Sequence, residues 1–122
     1  MPDRPTEKVE QFIQGAPLVG VPDVEATAAF YRDVLGFRFD YGEANYAVVW
    51  RENAAVHFTR SDAAPSGVQL FFWVEDVDRL HAELTERGAT VVSPPATRPY
   101  GLRDFAVSDL AGLRLTFAQD VD

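Results

Sequence analysis

The chain has 122 residues, of which 47% are apolar, 12% aromatic and 25% charged, enough for one well-filled globular core and too few for a second large domain. It contains no cysteine, which excludes a disulfide framework, a thiolate metal site, an iron–sulfur cluster and a cysteine nucleophile. Eleven Lys and Arg against nineteen Asp and Glu give a net charge of −8, which argues against nucleic acid and anionic membrane surfaces as partners and would attract a cationic ligand.

Residues 1–11 are polar, carry two prolines and read as a mobile arm or an edge extension. They hold no apolar secretion-signal core, and no apolar run approaches the ~20 residues of a membrane span, so the expected location is the cytoplasm. A strand is expected over about 12–21, ending at Pro22-Asp23. Asp23 suits a helix N-cap, because its carboxylate can accept from the unpaired amides of the first turn. Val24, Thr27, Ala28, Tyr31, Val34 and Leu35 then recur at helical spacing, with Phe30 widening the apolar face. Gly36 closes the helix, since glycine tolerates the positive φ of that position.

Three strands are expected next, at about 37–43, 46–52 and 55–60, separated by Gly42 and by Glu52-Asn53. Residues 63–67, Ala-Ala-Pro-Ser-Gly, read as a linker. The same grammar then returns: a strand over 68–74, Glu75-Asp76, and a helix with Val77, Leu80 and Leu84 on one face, closed by Gly88. Strands follow at 89–93, 102–108 and 113–119, the last two joined by Asp109-Leu110-Ala111-Gly112. The offset from Val21 to Val74 is 53 residues and that from Gly36 to Gly88 is 52, so two β-α-β-β-β modules are expected. Residues 1–122 read as one domain with modules over about 12–62 and 68–120.

VPDVEATAAFYRDVLGFRF followed by YGLRDFAVSDLAGLRLTFAQ resembles the vicinal-oxygen-chelate superfamily, which includes glyoxalase I, extradiol dioxygenases and bleomycin resistance proteins. The resemblance covers about 15–119. Its most specific pieces are Val21-Pro22-Asp23 before Phe30-Tyr31, Leu35-Gly36-Phe37, and Tyr100-Gly101 with Arg103-Asp104-Phe105 ahead of Gly112. It implies an α+β fold of paired βαβββ modules whose mixed sheets curl around a cleft.

Enzymes of that superfamily hold a divalent metal through His and Glu at matching places on the first, fourth, fifth and eighth strands. Carried over by the resemblance, those places fall near Ala16, on His57, near Gln69 and on Thr116. Alanine cannot ligate, and glutamine and threonine are weak neutral ligands. The expectation is therefore a lost metal centre, no cofactor and no catalytic residue. The second histidine, His81, lies on the second helix between Leu80 and Ala82, where superfamily ligands do not sit.

Within the superfamily the chain is most similar to bleomycin resistance proteins, which are small, acidic and metal-free. Leu70-Phe71-Phe72-Trp73-Val74 matches their aromatic fifth strand, and Tyr100-Gly101 stands where they commonly have Trp-Gly. The resemblance implies a homodimer with exchanged N-terminal strands that binds bleomycin in clefts between two chains and does not degrade it. A metal-dependent lyase, isomerase or dioxygenase built on His57 and unusual ligands is the alternative, and binding of another planar or acyl metabolite is a third reading.

The expected ligand-binding residues are Phe37, Tyr41, Tyr46, Trp50, His57, Trp73 and Tyr100. Several are amphipathic rings that suit a stacking site, worth roughly 1–3 kcal/mol per flat ring by analogy with base stacking. Phe71 and Trp73 must point to one side of their strand and Phe72 to the other. Asp40, Glu43 and Glu52 are candidates for an acidic rim around a cationic tail. A Gly-x-Ser-x-Gly elbow and the glycine-rich phosphate loops are missing from the sequence.

Overall fold

The computed structural model describes residues 11–121, so the arm expected over residues 1–11 lies outside the described residues except for Gln11. The elements run β1 (Leu18–Val21), α1 (Val24–Asp33), β2 (Arg38–Glu43), β3 (Tyr46–Arg51), β4 (Ala54–Arg60), β5 (Leu70–Trp73), α2 (Val77–Glu86), β6 (Thr90–Thr97), β7 (Leu102–Ser108) and β8 (Arg114–Asp120). The chain divides into two compact units at the Pro65–Ser66 bond. Each unit holds one helix and one open, mixed four-stranded sheet, ordered β1-β4-β3-β2 in the first and β5-β8-β7-β6 in the second. The first strand of each is parallel to the last, and the other pairs are antiparallel. This is the α+β, twice-repeated βαβββ fold that the sequence pattern predicts.

Local chemistry sets the element ends. Asp23 caps α1 by accepting from the Ala26 amide at 2.9 Å, and Asp76 caps α2 by accepting from the Arg79 amide at 3.0 Å. Gly36 and Gly88 follow the two helices with φ of 74° and 94°, the left-handed conformation that glycine adopts without a Cβ penalty.

Two strands differ most from expectation. β1 covers only Leu18–Val21, because its register with β4 runs from Leu18 opposite His57 to Val21 opposite Arg60 and no further. β6 is longer than the expected 89–93 and passes through Pro94 and Pro95. It is an edge strand, and two register shifts against β7 accommodate prolines that have no amide to donate.

One sheet face in each unit carries the helix. In the first unit Tyr31 of α1 is fully buried, meeting Phe58 at 4.9 Å and Phe37 at 5.5 Å between ring centroids, both edge-on. Val21, Val49 and Val56 fill the space around them. In the second unit Phe105 stacks on Phe117 at 5.2 Å, Phe117 on Phe72 at 5.7 Å, and His81 of α2 sets its ring edge-on to Phe105. Leu84, Leu115 and Val107 complete that core.

Candidate functional site

The pleat assigns every second side chain to the face away from the helix. Phe58 and Val49 lie on the α1 side of the first sheet, so their neighbours Tyr46, Val48 and Trp50 on β3 and Ala55, His57 and Thr59 on β4 lie on the other. The register pairs Tyr46 with Thr59, Val48 with His57 and Trp50 with Ala55. On β2 the register slips between Phe39 and Tyr41. That bulge places Tyr41 opposite Val48 and Glu43 opposite Tyr46, where an unbroken ladder would have put Asp40 and Gly42. Tyr41, Tyr46, Trp50 and His57 thus share one face of one sheet.

Several polar contacts organise this face. The Tyr46 hydroxyl lies 2.6 Å from His57 Nδ1, with the two rings edge-on. The Tyr41 hydroxyl donates to Glu43 Oε2 at 3.2 Å. That hydrogen bond, with the carboxylate charge behind it, favours the neutral phenol and raises the Tyr41 pKa. Trp50 is buried, with the Arg38 guanidinium 4.5 Å above its ring. Of the three acids considered for a rim, Glu43 touches an aromatic of the face. Asp40 sits at the bulge, and Glu52 occupies the β3–β4 turn at φ 52°. Phe37 is placed elsewhere: it is 5% exposed and packs against Tyr31 on the α1 side of its unit.

In the second unit the predicted alternation of β5 holds. Phe72 turns into the core, while Phe71 and Trp73 stay exposed on the opposite face with their centroids 5.4 Å apart. Phe71 stands level with Thr116 and Trp73 with Ala118. Trp73, 62% exposed, also lines a groove of about 400 Å³ with Val74, Glu75, Gln119 and Asp120. Asp104 lies on the same face, opposite Ala118, and its Oδ1 accepts from Arg98 Nε at 2.9 Å and from a terminal guanidinium nitrogen at 2.8 Å. Tyr100 is 71% exposed in the β6–β7 turn, next to Gly101 at φ 86°, and not on the sheet. Phe71 was missing from the sequence-derived set, although its i, i+2 spacing from Trp73 signals a shared face.

The places corresponding to the superfamily's metal ligands do not form a metal-binding set. Ala16 precedes β1 and carries no donor, and the β1 residue level with His57 is Leu18. Gln69 is exposed just before β5, and Thr116 offers one neutral hydroxyl. Among the described residues no three His, Asp or Glu side chains converge.

A family model described as the Glyoxalase/Bleomycin resistance protein/Dioxygenase superfamily matches residues 13–117. Among solved structures, the chain is similar to the bleomycin-binding protein of bleomycin-producing Streptomyces verticillus, complexed with copper(II)-bleomycin. The TM-score is 0.78 and the identity 29%, over 89% of this chain and 97% of that one. It is also similar to TioX from Micromonospora sp. ML1, with a TM-score of 0.75 and 26% identity, over 88% and 98% of the two chains. A glyoxalase-related enzyme from Clostridium phytofermentans shares the fold at a TM-score of 0.76 and 19% identity, over 95% and 98%. None of the curated proteins is similar enough to match. With the family model spanning most of its length and the same paired architecture in its strands, the chain belongs to the glyoxalase/bleomycin resistance protein/dioxygenase superfamily.

Proposed function

We propose that the protein binds a planar, cationic antibiotic of the bleomycin type in the cytoplasm and sequesters it, as a homodimer, without altering it chemically. The observation that carries this reading is the helix-free face of the first sheet, where Tyr41, Tyr46 and His57 gather beside Glu43, with Trp50 buried under Arg38. Amphipathic rings stack on flat heteroaromatic groups, and the carboxylate suits a positive tail. Phe71 and Trp73 offer a second pair of rings, with Glu75 and Asp120 beside the Trp73 groove, and Tyr100 adds an exposed ring. The likeness to a bleomycin-binding protein at 29% identity supports the same chemistry. Among the described residues no helix is long and apolar enough to cross a membrane.

Sequestration is an equilibrium, so protection requires protein in excess of drug and a Kd well below the drug concentration. Isothermal titration with metal-free and with copper-bound bleomycin should give saturable heat at micromolar protein, and mass spectrometry should recover the drug unchanged. No heat with either form, or a modified drug, would contradict the proposal. Light scattering should report twice the chain mass, and a monomer at micromolar concentration would remove the dimer.

A further inference from the structure

We propose that Tyr46 is a positioning residue that holds His57 in its Nε2–H tautomer, so that the ligand face presents a hydrogen-bond donor where a metal-binding nitrogen would otherwise stand. The short distance supports one direction of the bond. Hydrogen bonds with an N–H donor to oxygen cluster between about 2.7 and 3.2 Å, while those with a hydroxyl donor extend down to about 2.5 Å. A separation of 2.6 Å fits the Tyr46 hydroxyl as donor and His57 Nδ1 as acceptor. A neutral imidazole carries one proton, which then sits on Nε2. A histidine that ligates metal through Nε2 needs the opposite tautomer, with Nδ1–H given to a carboxylate, carbonyl or water. When the Tyr46 hydroxyl donates to Nδ1, that nitrogen carries no proton and the opposite tautomer is not formed.

Nε2 has no partner among the described residues. Among the described residues no buried side-chain nitrogen or oxygen lacks a partner. In register with His57 stand two apolar side chains, Leu18 on β1 and Val48 on β3. A lone donor in such surroundings selects a group that puts an acceptor against it and flat apolar surface around it. That ligand class is a planar ring nitrogen or a conjugated carbonyl. The ligand class rests on the binding function proposed above, whereas the tautomer does not.

The sequence holds two histidines, so ¹⁵N-labelled His81→Gln protein shows one imidazole, that of His57. At a pH of about 8.5, above the ordinary imidazole range, the spectrum should show Nδ1 unprotonated and Nε2 protonated. Tyr46→Phe in the same background should give a mixture of the two tautomers. Protonated Nδ1, or a spectrum that Tyr46→Phe leaves unchanged, would overturn the assignment. Titration with metal-free bleomycin reads the ligand arm. Tyr46→Phe should weaken binding about threefold to tenfold, and His57→Phe about tenfold or more. His57→Gln, which keeps an N–H donor, should bind within about threefold of wild type. Wild-type affinity in both Phe variants would overturn the donor role. Failure of the wild-type protein to bind bleomycin would remove the proposed ligand, while the ¹⁵N spectra still decide the tautomer.

Discussion

The two units share their backbone plan and differ in what they place on their helix-free faces. Each begins its helix with an aspartate that takes the amide three residues on, and each ends it with a glycine at positive φ. The core details already diverge. A buried tyrosine organises the first, while a stack of three phenylalanines organises the second. On the helix-free faces the divergence is chemical. The first carries hydroxyls and an imidazole in defined hydrogen bonds, with Trp50 under an arginine. The second leaves Phe71 and Trp73 exposed, and pairs Asp104 with Arg98. Residues that direct the backbone recur because the strand order demands them. Side chains that neither cap nor pack are free to follow a ligand.

The strongest way to break this comparison is through the cores. Tyr31→Ala in the first unit and Phe105→Ala in the second should each cost about 3–5 kcal/mol, read by chemical denaturation, since both side chains are fully buried. A loss below about 1 kcal/mol at either site would show that the ring does not organise its unit. A finer test is the pair of caps. Asp23→Ala and Asp76→Ala should each cost about 1 kcal/mol, because the two bonds are equivalent in geometry. Clearly unequal losses would contradict the idea that the repeat is physical and not only topological.

The smallest expected effect is a pH dependence in the second unit. Arg103 donates to both oxygens of Asp78, which holds that carboxyl below its ordinary range. A depressed folded-state pKa contributes stability that is present above the unfolded carboxylate pKa and is lost as pH falls through the folded one. Arg103→Gln should therefore be slightly less stable than wild type near neutral pH, and the two should converge in acid. Both ends of the pair are largely solvent-screened, so the gap is small. A gap that widens in acid would show that the pair does not act this way.

Helix bounds were legible in the sequence because caps are local: an aspartate or a glycine acts within one turn of its own position. Strand sides were legible wherever alternation runs unbroken, as in β5, where Phe72 parts from Phe71 and Trp73. Placement failed where a partner distant in the chain decides. The length of β1 is set by β4, some forty residues on. The side taken by Tyr41 depends on a bulge at Asp40, which no local pattern announces. Phe37 reads as a strand-end aromatic free to line a ligand site, yet helix packing claims it through Tyr31. The Tyr46–His57 bond joins residues eleven apart and shows itself only once the β3–β4 register is known.

Aromatic-ring NMR of labelled protein, titrated with metal-free bleomycin, tests the binding account most directly. Saturable shifts at Tyr41, Tyr46, His57, Phe71 and Trp73, with Tyr31 and His81 on the helix sides unmoved, are the predicted result. Silent spectra at high drug concentration, or changes confined to the helix-side rings, would contradict it.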